Sequence, residues 1–164
     1  MRTLYLIRHA KSDQGIENLS DIDRPLNIRG YANAHKMSSV LKEKKIIPDL
    51  IITSPAIRAI STALIFCRNM DMKPSAMVIH KNLYDSSVKD YLNNIINIDD
   101  KHKNVFLFGH NPIITDCANT LTKSFTDQMS TCSIVGIKGN IHWGGFAENT
   151  NELVYYDFPK NHAG

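Results

Sequence analysis

Short uninterrupted apolar runs alternate along this chain with longer stretches in which apolar residues recur every three or four positions. Runs of the first kind predict buried strands, and the second pattern predicts amphipathic helices. Strands are expected at residues 3–7, 50–53, 77–79 and 105–108. A first helix is expected from Ile28, with Ala34, Met37 and Leu41 along one side. Lys42, Lys44 and Lys45 stand near its C-terminal end, where cations suit the helix dipole. A second starts at Ser54-Pro55, read as a hydroxyl N-cap followed by Pro at the first helical position, and runs to about Cys67. Residues 87–97 form a third, with Val88, Tyr91, Leu92, Ile95 and Ile96 on one face, and a fourth follows Gly109-His110-Asn111-Pro112 to about Leu121. Residues 133–137 and 153–156 read as late strands, antiparallel neighbours joined through a glycine-rich loop at 139–145. Strands alternating with helices predict an α/β fold.

At 164 residues, with no repeat, linker or low-complexity tract, the chain is expected to form one domain over 1–164. A net charge of +3, with Lys and Arg scattered rather than striped, permits an anionic substrate and gives no argument for nucleic acid. Cys67, Cys117 and Cys132 are odd in number and show no CxxC spacing, which predicts free thiols in a reducing compartment. The first apolar run is broken by Arg8 and matches no signal peptide. No stretch approaches the ~20 apolar residues of a membrane helix. A cytoplasmic protein without membrane attachment is expected.

The chemistry stands at three strand ends: Arg8-His9 after the first strand, Ser54-Pro55 and then Arg58 after the second, Gly109-His110 after the fourth. Ligands of open α/β sheets bind outside the carboxyl ends of the strands, so parallel strands would bring all three clusters to one crevice. Two arginines and two histidines make a poor core and a good phosphate pocket, because the guanidinium fork grips phosphate oxygens bidentately.

These residues resemble the histidine phosphatase superfamily. Leu6-Ile7-Arg8-His9-Ala10 is similar to its RHG-type signature, residues 54–62 to its SPxxRAxxT element and Gly109-His110 to its second-histidine element. Arg24-Pro25-Leu26-Asn27-Ile28-Arg29-Gly30, RHAKS and GHNP resemble its small SixA-type branch, the phosphohistidine phosphatases. The resemblance implies a phosphoglycerate-mutase-like fold, a three-layer sandwich whose mostly parallel central sheet is flanked by helices. It implies His9 as the nucleophile that carries phosphate covalently. Arg8, Arg58 and a protonated His110 would stabilise the equatorial oxygens, Asn27 would be a small polar phosphate contact, and neither metal nor cofactor would be required. Lys11 would add positive potential at the mouth or be solvated.

A general acid is harder to find. Asp85, in Leu83-Tyr84-Asp85, is the candidate, with helix capping as its other role. A site without an evident acid suits a phosphoramidate, whose imidazole leaving group can be protonated near its reference pKa of ~6.5. The expected reaction is therefore removal of phosphate from protein phosphohistidine, with a histidine-phosphotransfer domain as the kind of partner. Two alternatives use the same pocket: a phosphatase for small phosphoesters with Asp85 as acid, and a non-catalytic phosphate-binding module. Cysteine-based phosphatase chemistry is excluded, since Lys73, Lys123 and Lys138 stand where its arginine would follow each cysteine. Asp21-Ile22-Asp23 follows no apolar strand and so does not read as an aspartyl-phosphatase pair. No dinucleotide or P-loop motif is present.

Overall fold

The computed structural model of the protein describes residues 1–139, 142–148 and 151–163, so positions 140 and 141 of the predicted 139–145 loop lie outside the described residues. Its strands are β1 (Arg2–Arg8), β2 (Leu50–Thr53), β3 (Met77–Ile79), β4 (Asn104–Gly109), β5 (Ile134–Gly139) and β6 (Glu152–Asp157). The helices are α1 (Ile28–Glu43), α2 (Ile57–Asn69), α3 (Val88–Ile96) and α4 (Ile113–Thr122). One sheet runs in the order β3-β2-β4-β1-β5-β6. β1 to β4 are mutually parallel, β5 is antiparallel to β1, and β6 is antiparallel to β5. The α/β expectation holds, with the late strands paired as predicted.

Alternation along the central strands explains the layers, because successive side chains of a strand face opposite ways. Leu4 and Leu6 of β1 and Val105 and Leu107 of β4 join a core that includes Tyr91 and Ile95 of α3 and Ile114, Ala118 and Leu121 of α4. Tyr5, Ile7, Phe106 and Phe108 join the opposite core, which includes Ala34, Met37 and Leu41 of α1 and Ala63 and Phe66 of α2. Both faces of β1 and β4 are thus covered, and the chemistry at their carboxyl ends sits on a rigid base. Each fully buried Met or Leu on α1 contributes roughly 1.5–3 kcal/mol by leaving water, which fixes that helix against the sheet.

One local expectation fails. α2 is capped at Ala56, without a side-chain cap bond, and starts at Ile57. The Ser54 hydroxyl accepts from the Ala56 N–H at 3.2 Å and lies 2.7 Å from His110 Nε2. The hydroxyl thus accepts two residues on instead of capping the helix, and Arg58 is the second residue of α2. By contrast, α3 has the cap its sequence allows: Ser87 and Asp90 form a reciprocal capping box. The three cysteines are buried and free. Among the described residues, no helix is long and apolar enough to cross a membrane.

Candidate active site

The register of the parallel strands decides which residues meet. Arg8, the last residue of β1, pairs with Gly109 of β4, and the His9 N–H continues the ladder to the Gly109 carbonyl at 3.2 Å. His9 and His110 therefore leave adjacent strand ends side by side, with ring centroids 5.1 Å apart. The Ala10 N–H donates to Thr62 Oγ1 at 3.0 Å, and that hydroxyl donates to the Arg58 carbonyl at 2.7 Å, which ties the end of β1 to the first turn of α2. Arg8, His9, Arg58 and His110 come together as the sequence predicts.

His9 is 7% exposed. Its Nδ1 lies 2.7 Å from the Ala10 carbonyl, which can only accept, so Nδ1 carries the proton and Nε2 keeps its lone pair. Burial pushes its pKa down to about 3, with His110, Arg58 and Arg8 acting the same way, so the ring is uncharged near neutrality. Burial, followed by Arg58, pushes His110 down to about 4. The protonated His110 expected from the resemblance is thus neutral at pH 7 unless an added negative charge offsets the guanidinium.

Tyr91 sets the height of His110. Its hydroxyl accepts from the His110 N–H at 3.0 Å and donates to the Leu83 carbonyl at 3.1 Å. A Cβ at Gly109 would stand 2.3 Å from that hydroxyl, so only glycine lets the phenol reach the backbone here. Arg8 Nη1 donates to the Met129 carbonyl at 2.9 Å. Burial and then Arg58 lower its pKa. Arg58, 6% exposed, donates from Nη1 and Nη2 to the carbonyl and carboxylate of Asp21 at 2.7 and 3.0 Å. Of the four buried side-chain nitrogens without a hydrogen-bond partner among the described residues, Arg2 Nε lies at the start of β1 and the other three, Arg8 Nε, Arg58 Nε and His110 Nδ1, lie here. Buried donors are nearly always paired, and these three belong to one cluster of mutually interacting groups.

Two residues that the sequence reading did not select join the cluster. Asp21 receives Arg58, Arg24 at 2.8 Å and the Tyr84 hydroxyl at 2.6 Å. The hydrogen bond from Tyr84, with Arg24 and Arg58, holds its carboxyl well below the usual range. The Tyr84 ring meets His110 edge-on at 5.5 Å and lies 6.0 Å from the Arg58 guanidinium carbon. The only sequence signal was that Tyr84 directly precedes the acid candidate, and Asp21 stands 37 residues from its arginine.

Asp85 itself is exposed, has a left-handed backbone (φ 50°) and makes no hydrogen bond or ion pair among the described residues. Asn27 caps α1 by accepting from the Gly30 N–H at 2.8 Å, and its amide donates to the Ser12 carbonyl at 3.4 Å. Lys11 is exposed. Among the described residues, no group of three His, Cys, Asp or Glu side chains is placed to hold a metal ion.

The arrangement is an uncharged imidazole with a free lone pair, flanked by two guanidinium groups and a second imidazole. A tetrahedral oxyanion would supply acceptors for the two guanidinium groups, and a phosphorus atom at its centre would supply an electrophile for Nε2.

Residues 4–112 match the family model described as histidine phosphatase superfamily (branch 1). Phosphoglycerate mutase 1 of Saccharomyces cerevisiae is 38% identical over 73 residues, which is 43% of this chain and 30% of that one. The 2,3-bisphosphoglycerate-dependent phosphoglycerate mutase of Clavibacter michiganensis is 42% identical over 64 residues, 38% of this chain and 26% of that one. The matched stretches thus span under a third of these relatives. Among solved structures, the fold is shared with the protein histidine phosphatase SixA complexed with tungstate. That likeness has a TM-score of 0.83 at 19% identity and covers 98% of this chain and 99% of that one.

Proposed function

The chain belongs to the histidine phosphatase superfamily, and from that premise we propose that it removes phosphate from protein-borne phosphohistidine through a phosphoryl group carried on His9. On this reading residues 1–164 act as one domain. The observation that carries the proposal is the set of partnerless buried nitrogens on Arg8, Arg58 and His110 around an uncharged His9.

His9 Nε2 attacks phosphorus, and the bond from phosphorus to the substrate's imidazole nitrogen breaks as the new bond forms. That imidazole, protonated on its remote nitrogen, departs neutral and takes the bonding pair. Water then attacks the phosphoryl group and the phosphorus–Nε2 bond breaks. One proton of that water goes to solvent, leaving inorganic phosphate and neutral His9. Arg8 and Arg58 hold the equatorial oxygens, where preorganised charge contributes most. The phosphoryl charge offsets the guanidinium groups that lower the His110 pKa, so His110 takes up a proton with substrate and donates to an oxygen. A leaving group that is itself basic needs no strong protein acid, which agrees with Asp85 standing unpaired in solvent.

Mass spectrometry of turnover tests this. A histidine-phosphorylated phosphotransfer domain and an alkyl phosphate are supplied in parallel, with His9→Ala as control. Fast phosphate release from the phosphohistidine, a phosphoryl mass on the His9 peptide after rapid quench, and loss of both in the variant are expected. Faster turnover of the alkyl ester, abolished in Asp85→Asn, would replace this reading with a small-phosphoester phosphatase. Phosphate binding without turnover of either substrate would leave a binding module.

A further inference from the structure

A concavity of about 490 Å³ that the proposed reaction does not use has Lys11, Arg29, Gln128, Ser130, Tyr156 and Lys160 among its lining. Among the described residues no Asp or Glu lines it, and the nearby Asp127 carboxylate acts on its Tyr156. Lys11 stands two residues beyond His9, Arg29 lies in the first turn of α1, and Lys160 lies in the short turn after β6. All three cations are exposed, and none makes an ion pair among the described residues.

The groove is anchored to the nucleophile. The Cys132 N–H is shared between the carbonyls of Arg8 and His9, each at 3.0 Å. The wall that contributes Gln128 and Ser130 is thereby fastened to the end of β1. At Gly30, a Cβ would stand 2.0 Å from the Lys11 carbonyl, so the first turn of α1 packs directly on the Lys11 backbone. Charge placed here is held in fixed relation to His9.

We propose that this groove docks the acidic face of the protein that bears the phosphohistidine. The inference rests on the proposed function and names the chemistry of its substrate surface. Three unpaired cations in one concavity make a positive field that steers and holds carboxylates. The amides and hydroxyls between them suit a protein surface better than a single small anion. A second small anion would need buried donors like those of Arg8 and Arg58, whereas these cations are solvated, as at the polar rim of a protein interface.

The test is a binding titration with the catalytically silent His9→Ala protein and a histidine-phosphorylated phosphotransfer domain carrying Asp and Glu beside its phosphohistidine. It is run with and without the added charge reversals Arg29→Glu and Lys160→Glu. Turnover of free phosphohistidine, too small to reach the groove, is followed with the same reversals in the wild-type background. The reversals are expected to weaken domain binding at least tenfold at low salt and to leave turnover of free phosphohistidine within twofold. The paired changes Arg29→Lys and Lys160→Arg should preserve binding. Unchanged domain binding would overturn the docking proposal even if turnover proceeds. A matching loss on free phosphohistidine would overturn it too, by showing that the two residues act through the pocket. Charge-dependent binding with no turnover by the wild type would uphold the groove and sink the catalytic reading.

Discussion

The two flanks of the pocket handle positive charge in opposite ways. Toward β2 and β3, Arg58 and Arg24 converge on Asp21, and Tyr84 closes the network. Toward β5 and β6, Lys11, Arg29 and Lys160 are exposed and form no ion pair among the described residues. The first flank uses charge for geometry: a guanidinium tied at two nitrogens is held in place, which on the proposed reading aims it before phosphate arrives. The second leaves its charge free to act at a distance, where salt screens it within a Debye length of about 8–10 Å. On the proposed reading, chemistry and recognition fall to different cations.

The sharpest way to break this division is a charge-preserving change on each flank. Arg58→Lys keeps the charge and loses the fork, and is expected to lower kcat/KM for phosphohistidine about 100-fold. Arg29→Lys should stay within twofold in the same steady-state assay, and equal losses would dissolve the distinction. Next in size is Asp21→Asn, which removes a charge-assisted anchor and should lower kcat about tenfold with little change in KM. An increase in kcat would show that Asp21 restrains Arg58 rather than positions it. Tyr84→Phe removes one of the three donors to Asp21 and should cost only about two- to threefold in kcat.

Acid stability probes the pocket without substrate chemistry. His9 and His110 are held down to about 3 and about 4 from an unfolded value of 6.5. Between those values the unfolded chain binds protons that the folded chain refuses, so stability present above pH 6.5 is lost as pH falls toward 4 and then 3. Thermal melts from pH 8 to pH 4 should show Tm falling below pH 6.5, with a shallower fall in His110→Gln. Parallel slopes would mean that His110 titrates normally in the folded state.

How much of this was legible in the sequence follows from the range of each interaction. β1, β2 and β4 announce themselves because burial on both faces requires apolar runs, and parallel strands require their ends to meet. That logic brought Arg8, His9, Arg58 and His110 to one place. The Ser54 cap failed because an imidazole 56 residues away takes the hydroxyl's attention, and no local rule registers such a competitor. Asp21 escaped for the same reason: its value lies in partners at positions 58 and 84, while its neighbours spell only a polar loop. Tyr84 was passed over because an acid was sought, yet the aromatic neighbour of Asp85 is what reaches His110.

The sheet order has a further consequence in time. β1 pairs on one side with β4 and on the other with β5, and the Arg8 guanidinium is held by a carbonyl 121 residues further along the chain. Contacts of such separation form late, because a long loop must close before any of them is rewarded. During synthesis His9 therefore emerges well before the later segment that fixes the end of its strand. A chain stalled before Met129 and Cys132 carries Arg8, His9, Arg58 and His110 without the segment that holds the Arg8 guanidinium and the end of β1. On the proposed reading, phosphate chemistry waits for the segment that also walls the neighbouring groove.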